Sequence, residues 1–323
     1  MTPIEYAEAI EHKSRERAAA LKNAFLMFPR VEHAYTEIRN LHRMGVPGPR
    51  AECIVLYGQS GAGKSHILKF YLGEHPTRKV PITDGKDPTK SGTRLQDEVV
   101  MVEAPSPASR RALIDRIQRA MQPEPLPIRL TLGERRERLV EMLQKAGTRL
   151  LIIDEFQHLI DHRSKRVILE ASDLVKSLLN AAVCPIVLSG TPEILKILEA
   201  DSQLRSRVYS IPSITPFDWD DPSDQEQFLG YLLEAEACLK FERTSGLSEP
   251  DCARRIHMVS GGLIGETQRL VSAAAEIATR ADLPCISNEC LALAVDRAWL
   301  QHKGKQGNPF RQVTVPARQV EYR

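Results

Sequence analysis

The residues Gly58-Gln59-Ser60-Gly61-Ala62-Gly63-Lys64-Ser65 combine three glycines, a lysine and a hydroxyl in the order that a phosphate-binding loop needs. Glycines let successive backbone N–H groups turn inward around an anion. The lysine reaches β- and γ-phosphate oxygens, and the serine hydroxyl ligates magnesium. The flanks agree with this reading. Cys53-Ile-Val-Leu-Tyr57 is an apolar run suited to a buried parallel strand, and a helical pattern starts at Lys64 and continues to about Leu72, adding the partial positive charge of its N-terminus. A chance glycine-rich turn requires neither flank.

A second apolar run, Leu150-Leu-Ile-Ile153, ends in Asp154-Glu155. In an open α/β sheet ligands bind beyond the carboxyl ends of the strands, so this pair is delivered to the same edge as the phosphate loop. Asp154 is expected to hold Mg2+ largely through water, and Glu155 to orient and deprotonate an attacking water. The plainer alternative is an acid pair that caps a helix. No Asn-Lys-x-Asp segment for guanine recognition occurs in the chain, so the expected nucleotide is ATP.

A third buried run closes on polar groups, Ile186-Val-Leu-Ser189-Gly-Thr191-Pro192, where a sensor of the γ-phosphate or the water would sit. Thr191 is preferred to Ser189; its alternative is the N-cap of a helix starting near Pro192. One helix later, Ser202-Gln-Leu-Arg205-Ser-Arg207 offers two guanidiniums to a neighbouring subunit's site, where an arginine neutralises charge developing on the transferred phosphoryl. Arg207 is the choice for that role, and surface ion pairing is the alternative for both arginines.

These segments need a frame to position them. Residues 2–44, rich in Ala, Glu, Lys and Arg and broken by Pro29, read as one or two helices. The stretch 75–97 is too long for a plain connection and reads as an inserted hairpin or loop. Glu98-Val-Val-Met-Val-Glu103 is another strand, Ser106-Pro107 opens a helix, and Thr131 with Glu134 forms a capping box for the next. Strands alternating with helices predict an α/β fold, a three-layer αβα parallel sheet. After Phe217 helical patterns take over, which predicts a smaller C-terminal helical lid domain. The expected divisions are a helical preface over 1–50, an ATPase core over 51–217, a lid over 218–302 and a flexible basic tail over 303–323.

Composition is that of an ordinary globular chain: 323 residues, 42% hydrophobic, 27% charged, net charge +2. Such a balance gives no global polyelectrolyte character, so any nucleic-acid contact rests on local clusters. Six cysteines without a CxxC pair imply neither zinc nor disulfides. The charged N-terminus fits no secretory signal, and the longest uncharged run, Ser177 to Pro192, is shorter than the roughly 20 apolar residues of a membrane span. A soluble cytoplasmic protein is expected.

The phosphate loop, the Asp-Glu strand end, the polar strand end, the Leu-x-Ser-Arg segment and the helical lid together resemble the AAA+ (ASCE) superfamily over about residues 30–300. Phe28-Pro-Arg30, Pro105-Ser-Pro107, Asp154-Glu-Phe-Gln-His158, Ser189-Gly-Thr-Pro192 and Ser260-Gly-Gly-Leu-Ile-Gly265 narrow the resemblance. They look like the TniB/TnsC family of transposition regulators of Tn7-like and related transposons, CRISPR-associated ones included. The resemblance implies a homo-oligomer, a ring or filament, assembled with ATP on double-stranded DNA in the bacterial cytoplasm and nucleoid. It also implies coupling between a target-selection protein of the TniQ type and a transposase. One departure stands out: where many AAA+ lids carry a sensor arginine, this chain reads Gly-Gly-Leu-Ile-Gly-Glu266, with Arg269 one turn further on.

Basic residues suited to DNA phosphates are Arg163, Lys165 and Arg166 after the Asp-Glu strand, Lys79 in the insertion, and Arg110 at a helix start. Each is equally a solvated surface charge. Two competing readings stay open: a loader or remodeller acting on a protein partner, and a nucleotide-gated scaffold with little turnover.

Overall fold

The computed structural model describes residues 3–45, 51–83, 91–105, 109–121, 130–160, 165–181, 183–298 and 307–311. The elements run α1 (Pro3–Asn23), α2 (Pro29–Met44), β1 (Cys53–Gly58), α3 (Lys64–Gly73), β2 (Arg78–Thr83), β3 (Ser91–Gln96), β4 (Val99–Glu103), α4 (Arg110–Met121), α5 (Leu132–Ala146) and β5 (Leu150–Asp154). They continue with α6 (Lys165–Asn180), β6 (Ile186–Gly190), α7 (Leu195–Ala200), α8 (Ser202–Arg205), β7 (Val208–Ser210), β8 (Ser213–Ile214), α9 (Pro222–Leu239), α10 (Pro250–Ser260), α11 (Ile264–Arg280) and α12 (Asn288–Ala298). By contacts the chain forms two compact units. One comprises Pro29–Ser60 and Lys64–Ile214, the other Met1–Phe28, Gly61–Gly63 and Thr215–Arg323.

The first unit is built on a sheet in the order β4-β5-β6-β1-β7, with β8 also pairing β1, and every one of these pairings is parallel. Parallel strands covered on both faces read as continuous apolar runs, and β5 and β6 are buried at every position. One contiguous core joins Val55, Leu151, Ile153 and Leu188 to Leu113, Ile117, Leu139, Val175 and Leu179 from α4, α5 and α6. The capping box is present: Thr131 Oγ1 accepts from Glu134 N, while the Glu134 carboxylate accepts from Thr131 N at 2.7 Å. The expected helix start at Ser106-Pro107 lies outside the described residues. Ser109 caps α4 instead, its Oγ accepting from Ala112 N at 3.0 Å. The insertion is a hairpin, with β2 and β3 antiparallel from Arg78↔Gln96 to Thr83↔Ser91.

Glu98 and Arg149 precede β4 and β5, at the strand edge remote from the phosphate loop. Together with the last turns of α2 and α3 they line a cavity of about 320 Å3 with His42, Tyr71 and His75. His42 is buried, its Nδ1 is 2.7 Å from Tyr71 Oη, and its ring centroid lies 4.8 Å from that of His75.

The second unit is helical. The expected preface is divided between the units, α2 belonging to the sheet and α1 to the helices. Arg17 fixes α1: its Nη1 donates to Thr279 Oγ1 at 2.9 Å, its Nε donates to the Leu239 carbonyl at 3.1 Å, and its guanidinium stacks 3.8 Å from the Phe241 centroid. Residues 307–311, inside the expected flexible tail, are held against α10 and α12. Asn308 Nδ2 donates to Ala292 O and Asp296 Oδ1 at 2.8 Å, Arg255 Nη1 donates to Pro309 O at 3.2 Å, and Phe310 is buried. The rest of that segment lies outside the described residues.

All six cysteines are free. Burial pushes the Cys53, Cys184 and Cys252 thiols up to about 12, which leaves them inert packing groups.

Candidate nucleotide site

The register of the sheet brings three strand ends to one edge. Leu56 and Tyr57 of β1 lie opposite Ser189 and Gly190 of β6, and Ile153 of β5 lies opposite Leu188. Gly58, Asp154 and Gly190 therefore end neighbouring strands, with Ser189 one residue inside, at the edge where α/β sheets bind ligands.

The loop after β1 runs Gly58 to Ser65, with Gly61 at φ 77 and Gly63 at φ 100, backbone that a side chain would strain. Lys64 opens α3 and is buried, its Nζ donating to the carbonyls of Gly58 at 2.8 Å and Gln59 at 3.0 Å. An ammonium has three donors, so one remains for a phosphate oxygen. Burial lowers its pKa, and the nearby carboxylates of Glu155 and Asp154 oppose that shift. Ser65 follows on α3, half-buried.

Asp154 is 1% exposed. Its Oδ1 accepts from Glu155 N at 2.9 Å, whereas Oδ2 is buried without a hydrogen-bond partner among the described residues. A buried carboxylate oxygen left so calls for a ligand, because an unmet acceptor costs about 1–3 kcal/mol. This orphan acceptor, with the Ser65 hydroxyl beside the phosphate loop, fits a hydrated Mg2+. Among the described residues no three His, Cys, Asp or Glu groups converge on a metal.

Glu155 adopts left-handed backbone, φ 53 and ψ 35, at the start of a single 3-10 turn over Phe156–Leu159. For a residue with a Cβ this costs about 1–2 kcal/mol, and such positions cluster at functional sites. The conformation turns the chain sharply off β5, burying Phe156 while Glu155 stays half-exposed. Gln157 Nε2 donates to Glu155 Oε2, and Gln157 Oε1 accepts from Thr191 N at 3.1 Å.

The two sensor candidates are drawn apart. Thr191 occupies the N-cap position of the 3-10 turn Pro192–Ile194 without a side-chain capping bond, and its hydroxyl is the main cause that holds the Glu193 carboxyl below its usual pKa. Ser189 is fully buried, and its Oγ has no partner among the described residues. Arg207 is half-buried beside α6, its Nη1 3.5 Å from the Lys176 carbonyl, while Arg205 is exposed on α8.

The DNA candidates are not gathered into one cluster. Arg163 lies outside the described residues, as do the side chains of Lys165 and Arg166 at the start of α6. Lys79 is exposed on β2, and Arg110 pairs with Glu170 at 3.7 Å. No helix among the described residues is long and apolar enough to cross a membrane.

Sequence reading missed Gln157, although an amide two residues beyond the expected general base was a usable signal. It also missed Asp201, which caps α8 by accepting from Gln203 N at 2.9 Å and Leu204 N at 3.1 Å. An Asp directly before Ser-Gln-Leu-Arg was the signal there.

This architecture is that of P-loop ATPases of the AAA+ type. A Cdc6 protein from Pyrobaculum aerophilum is similar in structure, with a TM-score of 0.60 at 17% identity over 86% of this chain and 70% of that one. A Walker-type ATPase of Pyrococcus abyssi gives 0.52 at 16% identity, over 84% of this chain and 72% of that one. The ORC1 protein of Aeropyrum pernix, solved in complex with DNA, gives 0.52 at 17% identity, over 84% and 66%. At these identities the likeness concerns the fold. The family model described as "Bacterial TniB protein" matches residues 17–215, more than half of the 323 residues, and the chain belongs to the TniB family. Among curated proteins there is no match.

Proposed function

We propose that this protein is an ATP-hydrolysing regulator of DNA transposition that assembles on double-stranded DNA and couples a TniQ-type target-selection protein to a transposase. The observation that carries the ATPase part is the pairing of a phosphate loop, its Lys64 already set by two loop carbonyls, with the buried unpartnered Oδ2 of Asp154. Membership of the TniB family supports the transposition part.

In this reading the backbone N–H groups of the loop, residues 58–65, cradle the phosphates, and the remaining Lys64 donor reaches the β/γ oxygens. Asp154 and Ser65 hold Mg2+, which neutralises charge on the phosphates when bound. Glu155 takes a proton from the attacking water, Ser189 or Thr191 registers the γ-phosphate, and Arg207 completes the site of a neighbouring copy. Lys79, Arg110, Arg163, Lys165 and Arg166 are the candidate phosphate contacts on DNA.

A nucleotide-gated scaffold with slow turnover is the second reading, and one observation favours it. Arg269, the nearest arginine to the usual lid sensor position, is engaged by the Glu266 carboxylate one turn before it on α11.

Sedimentation with duplex DNA, with and without ATP and Mg2+, tests the proposal. Large ATP-dependent complexes that Lys64→Ala abolishes and salt weakens are expected. Assembly and turnover indifferent to DNA would move the reading to a remodeller of a protein partner.

A further inference from the structure

Within the sheet unit, Gln157 joins two parts of the candidate site that the chain places 36 residues apart, Glu155 and Thr191. Its amide orientation is fixed by chemistry. The Glu155 carboxylate only accepts and the Thr191 backbone N–H only donates, so Nε2 must face the first and Oε1 the second. The fit is close. A Cβ placed on Gly190 would stand 2.5 Å from Gln157 Oε1 and 3.4 Å from its backbone N, so any side chain there would push the amide out of its present place. His158, a further polar neighbour, stands 3.9 Å from Glu155 Oε2, beyond hydrogen-bond range.

Glu155 leaves β5 in left-handed backbone at a sharp turn, and its carboxylate is more than a third exposed. A side chain so placed has several rotamers open to it unless something holds it. Gln157 is the group that does. The same amide is tied to the first residue beyond β6, next to the strand end where Ser189 and Thr191 stand.

We propose that Gln157 is a positioning residue: it holds the Glu155 carboxylate in register with the end of β6, so that a displacement of that strand end by bound nucleotide is passed to the general base. This rests on the reading of Glu155 as the base for ATP hydrolysis. A neutral amide suits the task, because it orients a carboxylate without neutralising it. A carboxylate at the same position would repel Glu155 and has no proton to donate to it.

The test uses the full chain with Gln157→Ala, Gln157→Glu and Glu155→Gln. Steady-state ATP hydrolysis is followed at pH 8, and nucleotide affinity is measured separately with a fluorescent ATP analogue. Gln157→Ala is expected to lower kcat about 10²-fold, the scale of a misplaced reacting group, with nucleotide affinity held within about twofold. The near-isosteric Gln157→Glu is expected to fold as the parent does and to lower kcat at least as far as Gln157→Ala at pH 8, because a carboxylate cannot donate to Glu155. A kcat within about twofold of the parent in either variant, or a loss matched by an equal loss of nucleotide affinity, overturns the inference while leaving Glu155 as the base. Wild-type turnover that is absent, or unchanged by Glu155→Gln, overturns the hydrolysis reading and this inference with it.

Discussion

Lys176 Nζ lies 2.7 Å from Asp201 Oδ2, and the backbone carbonyl of the same lysine faces Arg207 Nη1 at 3.5 Å, so one residue of α6 secures both ends of the segment that carries the candidate arginine finger. Burial alone would raise the Asp201 pKa. Lys176, the Ser172 hydroxyl at 2.6 Å and the amides of Leu204 and Gln203 outweigh it and hold the carboxyl down to about 2. The stability this contributes is present above the usual carboxylate range and is lost as pH falls from about 4 toward 2. Asp201→Asn is expected to cost about 2–3 kcal/mol in urea unfolding at pH 7, with most of that difference gone near pH 2.5.

Glu155→Gln and Lys64→Ala should separate binding from chemistry. The first leaves the Lys64 bonds to Gly58 and Gln59 in place and removes the proposed base, so nucleotide affinity is expected to persist while phosphate release falls at least about 10²-fold. The second removes the cation that spans loop and phosphate and is expected to weaken both. Isothermal titration alongside a phosphate-release assay distinguishes the two patterns.

Gly262 tests why Ser260-Gly-Gly262 is written as it is. Its φ is +72, its carbonyl accepts from Phe217 N at 3.0 Å, and an added Cβ would run into Phe217 O and N and the His257 ring. His257 Nε2 is already committed to Phe217 O at 2.8 Å and has little freedom to retreat. Gly262→Ala is expected to destabilise the helical unit by more than the roughly 1–2 kcal/mol of left-handed backbone alone, read as a lower thermal midpoint. Gly230, inside α9 with open space where a Cβ would stand, makes the control: Gly230→Ala is expected to be neutral or stabilising by about 1 kcal/mol.

His42 sets an acid limit on the sheet unit. Burial, and the second imidazole of His75, push its pKa down to about 4, against the pull of Glu98; Arg149 adds to the depression. Between pH 6.5 and 4 the unfolded chain takes up a proton at this position that the folded chain does not. Stability therefore falls as pH drops through that window. His42→Gln is expected to flatten that slope in urea titrations, at some cost in stability at pH 7 through the lost contact with Tyr71.

The phosphate-loop segment between strand and helix, the Asp154-Glu155 strand end and the capping box at Thr131 were legible because each is written in adjacent residues, whereas length alone left the insertion as a hairpin or a loop. Local periodicity fixes an element and its exposed end. It does not say which elements meet. Nothing in the pattern of α1 announces that Arg17 bonds Thr279, 262 residues away, and so the preface reads as one piece although contacts divide it. The docking of Asn308 and Phe310 was hidden by composition, since one buried aromatic and one amide do not alter the polar average of a short segment. Sequence favours Thr191 over Ser189 as the sensor. Burial is the part it cannot read: Ser189 is fully buried within β6, whereas Thr191 is half-buried just beyond it.

Helix α3 begins at Lys64 in the phosphate loop and carries Tyr71 about 10 Å further along its axis, into the ring cluster with His42 and His75. No glycine or proline interrupts the helix between those two residues, so it has no joint at which to absorb a movement. The lysine of the loop and the aromatic cluster at the opposite edge of the sheet therefore sit on one uninterrupted helix.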